Sequence, residues 1–102
     1  MMENEEDDLP LGAIPVINPS IISRDTLDEG LVIVNCDTGG SFALNLTGKL
    51  IWESIDGKRG PQEITTYISR YFFDIPEKVG DDVVSLLSVL AGEGFIGYEL
   101  LK

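Results

Sequence analysis

"LNLTGKLIWESIDG", residues Leu44–Gly57, joins the end of one pattern to the start of another. Upstream, in "SFALNL" (Ser41–Leu46), Phe42, Leu44 and Leu46 alternate with Ser41, Ala43 and Asn45, the period of a half-buried strand. From Thr47 to Ile55 the apolar residues Leu50, Ile51 and Ile55 fall with Ser54 on one side of a helix, Trp52 beside them. Asn45 or Thr47 is placed to cap its start, and Gly57 to stop it in the left-handed conformation. A strand and a helix joined this tightly hold a sheet edge against whatever the helix packs on. That geometry leaves a groove.

Two more strands precede the junction. "SIISRDT" (Ser20–Thr26) ends at the turn "LDEG", and the nearly all-apolar "LVIVNC" (Leu31–Cys36) suits the middle of a small sheet. Short turns at "LDEG" and "DTGG" favour an antiparallel meander, which puts the third strand at an edge. Two more helices follow it. One opens at Pro61 with Glu63 in its first turn and the stripe Ile64, Tyr67, Ile68 and Tyr71. The other runs from about Pro76 to Gly92–Gly94 with Val79, Val83, Leu86, Leu87 and Leu90 inward. On it Val84 and Ala91 lie on one flank and Val89 on the other, while Asp81, Ser85 and Ser88 lie opposite the core. Period does not choose which flank lines the groove. "FIGYEL" after it has the makings of a short terminal strand. The fold class is therefore α+β: a three-stranded antiparallel β-sheet followed by a three-helix bundle.

Composition narrows the function. With 102 residues, 43% of them apolar, the chain holds one core. It has one cysteine and no histidine, which removes disulfides and every imidazole-dependent triad, zinc or haem site. Asp81 and Asp82 are neighbours on a helix and diverge by 100°, so they do not work as an acid–base pair. "DTGG" lacks the spacing and the lysine of a phosphate loop. No catalytic constellation and no cofactor are expected. The net charge is −11, and five acids of "MMENEEDD" account for part of it. The remaining chain is still acidic, which opposes binding to nucleic acid. No apolar stretch reaches the ~18 residues of a membrane span, so a cytoplasmic protein is expected. Residues 1–19, acidic and then rich in proline, read as a mobile lead-in, with Pro10, Pro15 and Pro19 favouring extended backbone along the surface. The functional domain is expected over 20–102.

Single residues have plain readings. Trp52 is a core anchor, and Tyr67, Tyr71 and Phe72 are packing residues, with Phe73 the exception as a more exposed aromatic. Lys58 and Arg59 solvate a turn, and Cys36 is a small buried hydrophobe.

The order Leu44-Asn45, Thr47-Gly48, Ile51-Trp52, Asp56-Gly57, Glu63-Ile64, Tyr71, Asp82-Val83, Leu86-Leu87, Leu90 and Gly94-Phe95-Ile96 resembles the PqqD family, peptide chaperones of ribosomally made, post-translationally modified peptides. The resemblance implies that this sheet and helix bundle make a winged-helix-like arrangement, a precursor-peptide recognition element. The leader of a precursor peptide adds as a further strand on the third strand, wedged against the third helix, and is presented to a maturation enzyme, often a radical S-adenosylmethionine enzyme. The peptide contacts so implied are Gly40, Ser41, Phe42, Ala43, Leu44 and Asn45 on the strand. On the third helix the resemblance implies the span Glu77–Ala91 without saying which side chains touch peptide, and the candidates there, taken from the helix positions off its core stripe, are Asp81, Val84, Ser85, Ser88 and Ala91. The pathway, pyrroloquinoline quinone or another modified peptide, is not written in these motifs. The rival readings are a winged-helix DNA-binding regulator and a small interaction subunit, homodimeric through its exposed strand edge. Against the regulator, the third helix carries Lys78 alone against Glu77, Asp81 and Asp82.

Overall fold

Leu31, Ile33 and Asn35 are buried while Val32 and Val34 are half-buried, as a strand with a core on one face requires. In the computed structural model, which describes residues 13–71 and 76–99, this strand is the centre of a three-stranded sheet. The elements are β1 (Ile14–Ile17), β2 (Ile21–Asp25), β3 (Leu31–Asn35), β4 (Ser41–Leu44), α1 (Leu46–Glu53), α2 (Pro61–Ser69), α3 (Pro76–Gly92) and β5 (Ile96–Glu99). β2, β3 and β4 form an antiparallel meander in that order. The α+β architecture expected from the sequence is the one observed.

The meander is pinned at its first turn by chemistry that the sequence supplies. Thr26 Oγ1 accepts from the Gly30 amide at 2.9 Å, and the Thr26 amide donates to the Gly30 carbonyl at 3.1 Å. Gly30 then starts β3 so close to β4 that a Cβ there would collide with the Leu44 carbonyl. Only glycine allows this approach. On the inner face Ile33, Leu31 and Leu44 pack with Ile51, Trp52 and Ile55 of α1 and its exit, Ile64 and Ile68 of α2, and Val79, Val83, Leu87 and Leu90 of α3. Trp52 is 6% exposed, a core anchor as expected.

Each helix end has a physical cause. Asn45 caps α1, its Oδ1 accepting from the Gly48 amide at 2.9 Å. The helix stops earlier than expected, with Ser54 as C-cap. Gly57 takes φ +78°, but inside the following turn, where Asp56 Oδ1 accepts from the amides of Lys58 and Arg59 at 2.9 Å. α2 opens at Pro61 as expected, with Glu63 Oε1 accepting from the Gly60 amide at 2.6 Å. At the far end of α3, Gly94 (φ +84°) donates to Ala91 O at 3.2 Å and Phe95 to Leu90 O at 2.9 Å. That pair of bonds is a Schellman stop, and it turns Phe95 into the core.

Several expectations need correcting. Cys36 is exposed, because β3 ends at Asn35 and the cysteine begins the turn, on the opposite parity from the buried residues. β4 ends at Leu44, and Leu46 opens α1 instead, largely exposed. Tyr71 lies beyond the end of α2 and is exposed, touching Tyr67 edge-on at 5.8 Å. From Ile14 to Ile17 the backbone is extended, as expected around Pro15, and it also pairs, whereas Pro19 lies in a turn and Pro10 lies outside the described residues. β1 forms a two-stranded antiparallel sheet with β5, with Pro15 opposite Tyr98 and fully buried. "FIGYEL" thus contains the expected terminal strand. Phe72, Phe73 and the acidic block 1–8 lie outside the described residues.

Candidate functional site

In an antiparallel ladder, bonded and non-bonded pairs alternate, so each strand residue directs its amide and carbonyl to one neighbour only. The Asn35 amide donates to Gly40 O at 2.8 Å, and the register pairs Ile33 with Phe42 and Leu31 with Leu44. Stepping by two from the Asn35–Gly40 bond, Phe42 and Leu44 are the residues of β4 whose backbone groups face β3. On the other side of β3, the bonds Cys36 N–Ser20 O at 3.0 Å and Thr26 N–Gly30 O show the complementary parity. The amides and carbonyls of Ser41 and Ala43 therefore point away from the sheet. No strand covers them among the described residues, and both residues are exposed. β4 is an open edge.

That edge backs onto a cleft of about 370 Å³ lined by Phe42, Ala43, Leu44, Asn45, Thr47, Gly48, Ile51, Asp82 and Leu86. α1 closes one end, since Asn45 ends the strand and caps the helix in the same step. Gly48 lets that helix sit close, for a Cβ there would meet the Leu44 side chain at 3.1 Å. α3 forms the wall. Phe95, brought round by the Schellman stop, packs against Phe42 with ring centroids 6.2 Å apart and the rings tilted by 50°, and supports the other end.

Of the candidate residues named from sequence, Phe42, Ala43, Leu44 and Asn45 line this cleft, with Gly40 and Ser41 continuing the same edge. The helix candidates are placed differently. Asp81 and Val84 line a separate cavity of about 430 Å³ against Pro61, Gln62, Thr65 and Thr66 of α2. At 100° per residue, Ala91 falls on that flank too, and Ser88 between it and solvent. Ser85 lies at the outer rim of the β4 side. Asp82 and Leu86 are the residues of α3 that line the β4 cleft, and at 100° per residue Val89, 44% exposed, falls on the same flank. Sequence reasoning counted Leu86 as core and left Asp82 aside. The signal was present as an i, i+4, i+7 stripe, but nothing local says which side of α3 meets β4.

The basic pair in the turn after α1 is partly consumed within the fold. Arg59 donates to Ser54 O at 3.0 Å, lies 3.5 Å from Asp56, and stacks 4.1 Å over the Tyr67 ring. No helix among the described residues is long and apolar enough to cross a membrane, and they contain no cluster of metal-ligating side chains.

Residues 30–96, two-thirds of the chain and the segment from the tight Gly30 approach to the first residue of β5, match the family described as coenzyme PQQ synthesis protein D (PqqD). The chain belongs to the PqqD family. The PqqD match thus contains β3, β4 and all three helices, every element that builds the cleft. No curated protein matches the chain. Among solved structures, TbiB1 in complex with the TbiA(beta) leader peptide is similar at TM-score 0.69 and 25% identity, over 78% of this chain and 92% of that one. A lasso peptide synthetase B1 complexed with the leader peptide shares the fold at TM-score 0.70 and 18% identity, over 81% of this chain and 96% of that one.

Proposed function

We propose that the protein is a peptide chaperone, binding the leader segment of a ribosomally made precursor peptide by strand addition to β4 and presenting it to a maturation enzyme. The observation that carries this reading is the outward-facing backbone of Ser41 and Ala43 standing over a cleft walled by α3. Main-chain bonds to those two residues supply affinity, and the cleft supplies selectivity. The similarity to TbiB1, whose structure holds a leader peptide, supports the same reading. Ordering a flexible peptide costs roughly 2–5 kcal/mol, so the affinity is modest, as suits a carrier that must release its cargo.

The protein acts in this reading without catalysis of its own, in the cytoplasm, with a radical S-adenosylmethionine enzyme or another modifying enzyme downstream. The product is pyrroloquinoline quinone or another modified peptide. The peptide-binding domain takes in β1 as well as residues 20–102, because β1 completes the sheet with β5. A DNA-binding role for α3 is disfavoured by Asp81 and Asp82, both exposed on it.

The test uses fluorescein-labelled synthetic copies of the short peptides encoded within a few genes of this one. Fluorescence polarisation is expected to find one that binds through its N-terminal half. Ala43→Pro removes an outward amide that the fold does not use and is expected to abolish binding while leaving the circular dichroism unchanged. Binding that survives Ala43→Pro in a folded protein would overturn strand addition at β4.

A further inference from the structure

Resting on the strand-addition reading, we propose that the cleft selects a peptide with a cationic side chain two residues before an apolar one. Residues directly opposite one another in an antiparallel pair place their side chains on the same face of the sheet. Phe42 and Leu44 face inward, so the peptide residues opposite them enter the cleft, and those opposite Ser41 and Ala43 do not. Every strand pair among the described residues is antiparallel. An added strand that continues the pattern brings the residue opposite Leu44 two positions before the residue opposite Phe42.

The two ends of the cleft differ in chemistry. α3 returns through Gly94 to Phe95, which packs against Phe42, so the C-terminal part of the helix lies at the Phe42 end. There the stripe is Leu86 and Val89, apolar and incompletely covered. One turn earlier, toward Leu44 and the start of α1, the same stripe presents Asp82 beside Asn45, Thr47 and Gly48. Asp82 has no ion-pair partner among the described residues. Lys49 on α1 is held by Asp25 at 3.0 Å, and Lys78, one turn before Asp82, makes no ion pair with it. An inserted strand dries this carboxylate against Leu86 and Ile51. A neutral or acidic side chain at that position leaves the charge uncompensated, and a lysine or arginine pairs it. The acidic chain favours the same sign of partner over longer range.

The experiment selects an mRNA-display library of fully random ten-residue peptides on the immobilised full-length protein and, in parallel, on Asp82→Asn and Asp82→Glu. The wild type is expected to enrich Lys or Arg followed, two residues on, by an apolar residue. Asp82→Glu is expected to keep that preference. Asp82→Asn is expected to lower the basic preference by about fivefold while the apolar preference stays. Apolar enrichment without a basic preference, a basic preference that survives in Asp82→Asn, or the reverse order of the two residues overturns the inference and leaves strand addition standing. Failure of all three proteins to enrich any sequence, while their circular dichroism is native, overturns both.

Discussion

Trp52 and Tyr98 are both packed against the core, and they answer to different probes. Trp52 is surrounded by the apolar side of α1 and the inner sheet face, so truncation leaves a cavity that the neighbours fill only in part. Trp52→Ala is expected to cost ~3–5 kcal/mol in a denaturant titration. A loss below about 1 kcal/mol would mean that the indole is dispensable to packing. Tyr98 carries a phenol that burial pushes up to about 12 from the ordinary 10.0. The folded state therefore holds this proton where the unfolded chain releases it, and the sign follows from linkage. Its contribution is fully present below pH 10 and is lost as the pH rises from about 10 toward 12. Tyr98→Phe is expected to flatten that alkaline decline in thermal melts taken from pH 9 to 12. Tyr71 is also raised, through its hydrogen bond with Tyr67, but it sits at the surface and is common to both proteins, so the difference isolates Tyr98.

At the scale of the element, β4 has two kinds of amide, and replacing each by an ester separates them without adding bulk. An ester at Phe42 or Leu44 removes a donor to β3 and is expected to destabilise the fold by ~0.5–1.5 kcal/mol. An ester at Ser41 or Ala43 is expected to leave the fold intact and weaken a bound peptide by a similar amount. Stability and binding should thus run out of phase along four residues, measured by denaturation and by titration of the peptide. Equal loss of stability at all four would show a strand paired on both sides. The period of two was legible in "SFALNL". The phase was not, because a slip of one residue between β3 and β4 inverts it without altering the alternation itself.

For the whole molecule, the consequential feature is the second sheet. β1 pairs with β5 over four residues, and Asn18 ties the pair to the end of α3, its amide donating to Phe95 O at 3.0 Å and its Nδ2 to Gly94 O at 3.1 Å. Those contacts hold Phe95 where it supports Phe42. Deletion through Asn18 is expected to lower stability by at least ~2 kcal/mol, from lost apolar burial alone, and to weaken peptide binding with it. An unchanged thermal midpoint would show that β1 only leans on the fold. Pro15 and its neighbours read as extended surface chain because the partner of β1 lies about eighty residues downstream. No local pattern carries that pairing.

By itself the sequence determined the type and order of every element after β1, since burial on one face writes a period of two in β3 and β4 and nearly four in α1, α2 and α3. It also determined the opening of α2 at Pro61 and narrowed the cap of α1 to Asn45 or Thr47, signals that act within three residues of their own position, and the motif series that marks the family. Tertiary structure decided three things. Cys36 points to solvent because the strand ends one residue sooner than its apolar run. Gly57 serves a turn, because α1 ends at Ser54 before reaching it. Asp82 rather than Asp81 faces β4, because the two carboxylates sit 100° apart on a helix whose rotation is fixed only by packing against α2 and the sheet. Each of these depends on contacts between residues distant in the chain, and such contacts leave no period in the residues that make them.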